Sequence, residues 1–315
     1  MRIVVHGQQA FGKAVLEALL QRGDEVIAVY AAPEKPGQKI DPLKEAALAA
    51  GLPVHQPASY RKPEVWEQFR ALAPDLQVMA YVTLFVPEEF LKIPSQGSIQ
   101  YHPSLLPKFR GPSSINWPII KGETETGLSI FWPDNGLDTG DILLQRECAI
   151  GLDETAGELA RRLADLGAGL LAQTLESHAR GVLEPRKQDA AEASPAPSLT
   201  RADGRIDWSR NAQEIANQVR GCHPWPLAVT YLRDRPLTVH RAEVSFEPAA
   251  SHTAPPAPGE VIAARDAILV QCQGDSRLRI LQVQLPGGKT MTAREAVNGR
   301  LIRVGETFAQ APPGR

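Results

Sequence analysis

A histidine and an aspartate near the middle of the chain have the residue types and surroundings expected of a reacting centre. His102 ends an apolar run at 98–102, and Pro103 follows at once, which stops strand pairing and fixes the direction of the exit. Asp138 lies in a polar, glycine-containing loop at 133–141. A carboxylate bonded to an imidazole fixes its tautomer and helps it to hold a proton while a carbonyl carbon is attacked. The pair therefore predicts acyl-transfer chemistry, provided that the fold brings the two side chains together.

Each of these residues also has a purely structural interpretation. His102 would then be a hydrogen-bonded residue at a strand end, and Asp138 would be a turn former. Residue type and spacing do not establish that the side chains touch, so both interpretations stay open at the level of these two residues. The strands and helices predicted around these two residues indicate where in the fold they lie.

Strands and helices alternate through the first half of the chain. Short apolar runs predict buried strands, and apolar residues at helical spacing predict the helices between them. Strands are predicted at 2–6, 26–30, 76–80 and 98–102, and helices at 42–50, 63–72 and 154–179. The alternation predicts an α/β domain with a Rossmann-like open parallel sheet that is covered on both faces. Two further strands, at 126–132 and 142–150, flank the polar loop 133–141. His102 would lie at the carboxyl end of a strand, where such sheets bind their ligands.

A change of composition predicts where this domain ends. Residues 184–203 are rich in proline, alanine, serine and charge, so we expect a linker between a catalytic domain at 1–183 and a second domain at 204–310. The second domain contains a helix at 212–220 and short apolar runs at 227–232, 236–244, 260–263, 267–272 and 277–285. Short strands separated by turn residues predict a small OB-like β-barrel. The proline-rich loop at 247–259 is expected to be mobile.

Composition argues against several classes of function. The 315 residues carry a net charge of −2 with a pI of about 6.4, which provides no bulk electrostatic basis for binding nucleic acid, DNA included, or an anionic membrane. No stretch approaches the roughly 20 apolar residues of a membrane span. Cys148, Cys222 and Cys272 are far apart and form no CxxC pair, so we expect neither disulfides nor a metal site. The GxGxxG spacing is absent after the first strand, so no nicotinamide cofactor is expected. The expected location is the cytoplasm.

The segment 101–145 resembles the catalytic region of the folate-dependent formyltransferases. It contains HPSLLP and RG, joined to LDTGDI at a spacing specific to that family, and the resemblance extends from residue 1 to about residue 305. The N-terminal half, with GQQAFG and SSINW, is most similar to the hydrolase domain of 10-formyltetrahydrofolate dehydrogenase. The C-terminal half, with RIDW and HPWP, is more similar to methionyl-tRNA formyltransferase. The resemblance implies an enzyme whose formyl donor is 10-formyltetrahydrofolate.

The resemblance also implies roles for individual residues. The family's catalytic trio is an asparagine, a histidine and an aspartate, and its positions hold Gln100, His102 and Asp138 here. Glutamine departs from the family pattern, although it carries the same amide on a longer arm and would donate to the formyl oxygen. The residues implied to contact the folate are Tyr81, Val82, Thr83, Leu84, Ile99, Asp134, Gly136 and Asp141. Leu84, Ile99 and Phe85, which follows Leu84, have an alternative interpretation of equal weight: they belong to the hydrophobic core and do not contact the folate.

The formyl acceptor stays open at this stage. The main expectation is a small amine, or water, which would hydrolyse the donor to formate and tetrahydrofolate. The alternatives are methionyl-tRNA formyltransferase acting on initiator tRNA and a folate-binding protein without catalysis. The loop 31–42 counts against tRNA, because it is shorter than in the tRNA enzymes of the family and offers only Lys35 and Lys39. The arginines of the second domain count in favour: Arg201, Arg205, Arg210, Arg220, Arg233, Arg235 and Arg241.

Overall fold

The computed structural model describes residues 1–34, 37–246 and 255–311. Lys35 and residues 247–254 of the loop expected to be mobile lie outside these ranges. The described chain divides into two compact units. Unit 1 comprises 1–114, 125–149 and 160–197, and unit 2 comprises 115–124, 150–159 and the described residues from 198 onward.

A seven-stranded sheet forms the centre of unit 1, in the order β3-β2-β1-β4-β5-β6-β7. Its strands are β1 (Arg2–Gly7), β2 (Glu25–Ala31), β3 (Val54–His55), β4 (Leu76–Ala80), β5 (Ser98–His102), β6 (Glu125–Phe131) and β7 (Ile142–Ala149). The helices of this half are α1 (Gln9–Gln21), α2 (Pro42–Ala49), α3 (Pro63–Ala71), α4 (Glu88–Leu91), α5 (Asn116–Lys121) and α6 (Ala156–Ala179). The unit division assigns α5 and the first turn of α6 to unit 2.

The sheet is parallel except at the edge that β6 and β7 form. The first five strands in the spatial order from β3 to β5 pair in parallel, whereas β6 is antiparallel to both β5 and β7. Only the short loop 132–141 joins β6 to β7, and a parallel return would need a longer crossover connection. The same loop carries Asp138, whose carboxylate lies 3.5 Å from His102 at the carboxyl end of β5.

One face of the sheet is covered by an apolar cluster. The cluster contains residues from three strands, Val4, Ala28 and Met79, together with Phe69 of α3 and Phe90 of α4. In the strand register His6 pairs with Met79, and Met79 pairs with Gln100. Because paired residues of parallel strands point to the same face, Gln100 shares this face, and so does His102 two residues later.

Unit 2 is built on an antiparallel sheet in the order β10-β11-β12-β9-β8, with β13 added beside β12. The elements are α7 (Ala212–Gly221), β8 (Ala228–Leu232), β9 (Arg235–Ser245), β10 (Val261–Ala264), β11 (Ile268–Gln271), β12 (Arg277–Gln284), β13 (Met291–Thr292) and α8 (Ala293–Asn298). Bridges from Tyr231 to Ala309 and from Glu260 to Thr307 bring one late segment against both ends of the sheet. The sheet is thereby closed, and the predicted class, an α/β domain followed by a small β-barrel, is confirmed.

The late elements β13 and α8 were not among the predicted ones, because a two-residue strand and a six-residue helix are too short to leave a clear apolar period. Within the described ranges, no helix combines the length and the hydropathy that crossing a bilayer requires.

Candidate active site

His102 is buried at the carboxyl end of β5, with 4% of its surface exposed. Its Nε2 lies 3.0 Å from the carbonyl oxygen of Phe109. A carbonyl oxygen only accepts, so Nε2 carries a proton. Nδ1 lies 3.5 Å from Oδ2 of Asp138. The Nδ1–Oδ2 separation is at the limit of hydrogen-bond length, so the bond at Nε2 is the firmer contact of the ring.

The Asp138 carboxylate is the point at which the polar groups of the site converge. Its Oδ2 accepts a hydrogen bond of 2.8 Å from the backbone N–H of Gly111, and the Nε2 of Gln100 lies 3.5 Å from its Oδ1. The side chain is buried. The structure therefore brings the side chains of Gln100 and His102 to the carboxylate of Asp138. The bond from Gln100 is at the limit of hydrogen-bond length, so this amide is the most loosely held of the three.

The N–H that binds Asp138 belongs to a glycine that no other residue could replace without strain. Gly111 has a φ of 118°, and a Cβ at this position would lie 2.7 Å from the carbonyl oxygen of Ala196. Arg110, just before it, exchanges backbone hydrogen bonds with Ser194 and Ala196 at 2.9 and 2.6 Å. The segment 194–196 thus runs beside the loop that supplies the donor. We had expected this segment to be part of a linker, and composition carried no signal for its contact with the site.

The loop 133–141 is shaped by its own polar groups. Oδ1 of Asp134 accepts from the Gly136 N–H at 2.9 Å and from the Thr139 hydroxyl at 2.6 Å, which is the geometry of an Asx turn. The backbone carbonyl of Asp141 accepts from Trp132 N–H at 2.9 Å and closes the base of the loop. Asp134, Gly136 and Asp141 therefore hold the loop in the conformation that presents Asp138.

The residues expected to contact the folate after β4 form a second loop on unit 1. Tyr81 is 37% exposed and Phe85 is 55% exposed, whereas Val82 and Leu84 are half-buried and pack against the apolar cluster. Thr83 is exposed, and its hydroxyl accepts a long bond of 3.4 Å from Gln8. This loop therefore presents aromatic rings to solvent and holds its aliphatic side chains against the core.

A hydrogen bond connects the two loops. The amide of Asn135, in the loop 133–141, donates to the carboxylate of Glu88 at 2.6 Å, and Glu88 begins α4 directly after the loop that carries Tyr81. Leu137, also in the loop 133–141, is 64% exposed. Ile99 is not brought to this surface, because it is buried in β5 and alternation points it to the face opposite to Gln100 and His102.

His6 is a further titratable residue on this edge of the sheet, and the sequence analysis did not single it out. It lies near the carboxyl end of β1, on the same face as Gln100, and Nε2 of Gln77 lies 2.9 Å from its Nδ1. Complete burial lowers its pKa from 6.5 to about 3, so the ring is neutral. The available signal was its position, since it stands near the end of an apolar strand as His102 does.

The site contains an oriented imidazole, a carboxylate and a loosely held amide, and the loop after the neighbouring strand β4 exposes aromatic side chains. This set can take up a proton from an attacking nucleophile and can place donors where negative charge develops on a carbonyl oxygen. Among the residues that the structure describes, no group of three or more histidine, cysteine or acidic side chains is arranged to hold a metal ion.

Both halves of the chain match known protein families. Residues 1–175 match the family model described as formyl transferase, and residues 198–301 match the one described as formyl transferase, C-terminal domain. A methionyl-tRNA formyltransferase of Citrifermentans bemidjiense is 43% identical over 311 residues, which are 97% of this chain and 95% of that protein. One of Caldanaerobacter subterraneus subsp. tengcongensis is 41% identical over 97% of this chain and 99% of that protein.

Solved structures of low sequence identity share the fold. WlaRD, a sugar 3N-formyl transferase solved in the presence of dTDP and 5-N-formyl-THF, superposes with a TM-score of 0.68 at 16% identity, over 89% of this chain and 97% of that one. HypX from Aquifex aeolicus, in complex with tetrahydrofolic acid, superposes with a TM-score of 0.66 at 20% identity, over 96% of this chain and 48% of that one. Both family models and the near-full-length relatives lead to one conclusion: the chain belongs to the formyl transferase family.

Proposed function

We propose that the protein transfers the formyl group of 10-formyltetrahydrofolate to the amino group of methionyl-tRNA. The observation that carries this proposal is the 43% identity over 97% of the chain to a protein named methionyl-tRNA formyltransferase. That identity includes unit 2 as well as the catalytic motifs, so it bears on the acceptor and not only on the donor. It supports tRNA over the small amine or water that we expected from the sequence.

The surface beside the catalytic trio suits a folate donor. Tyr81, Phe85 and Leu137 expose large apolar side chains on two loops that the Asn135–Glu88 hydrogen bond connects. A flat pteridine that covered such side chains would remove apolar surface from water, which favours binding. The structures of WlaRD and HypX, which hold 5-N-formyl-THF and tetrahydrofolic acid, support a donor of the same class for this chain.

The trio would act on the developing charges of acyl transfer. When the acceptor amine attacks the formyl carbon, the loosely held amide of Gln100 donates to the formyl oxygen, and the His102 ring lies against the Asp138 carboxylate. Asp138 orients the ring and takes up the proton that the attacking nitrogen releases. The carbon–nitrogen bond to the folate then breaks, and that proton passes to the departing folate nitrogen. No residue of the chain needs to form a covalent bond.

The acceptor is tested by following tetrahydrofolate release from 10-formyltetrahydrofolate in parallel reactions. The acceptors are none, free methionine, methionyl-tRNA, and an amino-sugar nucleotide. We expect release with methionyl-tRNA, with one formyl group appearing on the tRNA for each tetrahydrofolate. Equal release without an acceptor would establish a hydrolase, and release with the amino sugar alone would establish a small-molecule transferase; either result would overturn the proposal.

The catalytic assignment is tested by Asp138→Asn and His102→Ala. Each should lower kcat by about 10²–10³-fold, because a preorganised charged or donor group is lost at the reacting atoms. Binding of a folate analogue, measured by calorimetry, should persist. Asp165→Asn is the matched control, since Asp165 is an exposed aspartate on α6, and it should leave kcat unchanged. Turnover of Asp138→Asn within about twofold of wild type would refute the assignment.

A further inference from the structure

Gln188 differs from its neighbours in the segment that follows α6. Residues 184–187 and 189–192 are exposed, and Gln188 alone among residues 184–192 is half-buried. Composition predicts a solvated linker here, where a glutamine would have no reason to turn inward. Its side chain instead reaches back to the loops that carry Asp138 and Gly111.

The Gln188 amide uses its full hydrogen-bonding capacity. Nε2 donates to the backbone carbonyls of Asp138 and Gly140, at 2.9 and 2.7 Å. Oε1 accepts from Nε and Nη2 of Arg110, at 3.1 and 2.7 Å. A flipped amide would turn its N–H groups to the guanidinium and its oxygen to the two carbonyls, so the partners determine a single orientation.

These bonds connect the loop that carries Asp138 to the segment that supplies the backbone donor of its carboxylate. One end of the amide holds the backbone of the residue that carries the carboxylate. The other end holds the residue before Gly111, whose N–H binds that carboxylate at 2.8 Å. Asp138 has a φ of 54°, a left-handed conformation that is uncommon outside glycine although aspartate adopts it more readily than most residues, and hydrogen bonds to its backbone constrain it. The two donated bonds of Gln188 are such a constraint.

We propose that Gln188 is a positioning residue for formyl transfer, holding the Asp138 carboxylate in register with His102 and Gln100. Gln188 acts through these residues and does not itself reach the reacting atoms. This inference rests on the proposed catalytic role of Asp138. It assigns to the segment after α6 a part in the reaction, in addition to any connecting role.

Two substitutions separate the two ends of the amide. Gln188→Ala removes all four hydrogen bonds, whereas the isosteric Gln188→Glu keeps an acceptor for Arg110 and removes both donors to Asp138 and Gly140. We expect both variants to lower kcat by about 10- to 100-fold, the effect of a misplacement near 1 Å, with KM for the folate unchanged within about twofold. Lys187→Ala, at the adjacent exposed position, is the control and should behave as wild type.

The assay is tetrahydrofolate release with whichever acceptor the wild-type protein uses, so the identity of the acceptor does not affect the result. The pH profile of kcat is recorded as well, and it should shift in Gln188→Glu because the Asp138–His102 pair is displaced, a change that loss of folded protein would not produce. Wild-type kcat in Gln188→Glu would overturn the inference, as would equal losses in folate binding and kcat. If Gln188→Ala does not fold, Gln188→Glu decides alone.

Asp138→Asn is measured in the same series to separate the two proposals. If it is inactive while both Gln188 variants turn over normally, the positioning role is wrong and the catalytic assignment stands. If Asp138→Asn is itself active, the catalytic assignment fails, and the inference about Gln188 fails with it.

Discussion

The residues of the trio differ in how firmly the structure holds them. His102 has an acceptor at each ring nitrogen, and Asp138 accepts from a backbone N–H at 2.8 Å. Among the described residues, the side chain of Gln100 is held only by the 3.5 Å approach to Asp138, so its amide can turn to a formyl oxygen at small cost. The longer arm of glutamine, relative to the asparagine of the family, is therefore compatible with the same donor role.

Burial of His6 should make stability depend on pH. Its pKa is about 3 in the folded protein and about 6.5 when unfolded, so the unfolded state binds more protons between these values. The free energy of unfolding should fall as pH is lowered through this window, by up to about 1.4 kcal/mol per pH unit. His6→Asn should remove this part of the dependence, as measured by urea unfolding at about pH 7.5 and about pH 5. His178→Asn, at a partly exposed histidine, is the control; equal acid sensitivity of the His6 variant and wild type would contradict the prediction.

At the scale of elements, local patterns located most helices and strands closely. Helix α7 was expected at 212–220 and spans Ala212–Gly221, because an apolar stripe and a polar cap both mark it. The apolar runs of β6 and β7 did not indicate strand direction, since an apolar run has the same appearance in parallel and antiparallel strands. The length of the connecting loop was the only available indication.

The contribution of the helix cap at the start of α7 to stability can be measured directly. Asn211 and Glu214 form a capping box, in which each side chain accepts from the backbone N–H of the other residue. Asn211→Ala should destabilise the protein by about 1 kcal/mol, because a helix N–H loses its partner. Asn211→Ser keeps an acceptor and should cost only a few tenths of that amount. Urea unfolding of the full chain compares them, and equal stabilities of the two variants would argue against the cap.

At the scale of the whole molecule, the acceptor proposal concerns the charge of unit 2. Three of its seven candidate arginines are ion-paired, in the pairs Arg210–Glu214, Arg233–Glu306 and Arg241–Glu158, and Arg220 is half-buried. Arg201, Arg205 and Arg235 are exposed. Exposed guanidinium groups are the ones available to phosphates, although the net charge of the chain is −2.

These three arginines should contribute to the salt dependence of tRNA binding. Replacing any one of them with alanine should reduce the slope of log K against log salt by roughly 1 if it contacts a phosphate. Binding is measured by filter retention over a range of salt concentrations. Arg233→Ala, which removes an ion-paired arginine, should leave the slope unchanged. A triple variant with the wild-type slope would exclude these residues from the tRNA contact.

Sequence by itself determined the family, the two-part α/β and β-barrel architecture and the identity of the candidate trio. It could do so because apolar periods are local and because the motif that contains His102 and Asp138 is one uninterrupted run of the sequence, residues 101–145. Tertiary structure alone decided that the Gly111 N–H binds the Asp138 carboxylate and that Gln188 holds the loop of Asp138. Such contacts depend on how distant segments pack in three dimensions: Gln188 and Asp138 are 50 residues apart, and no local period or composition encodes a hydrogen bond across that distance.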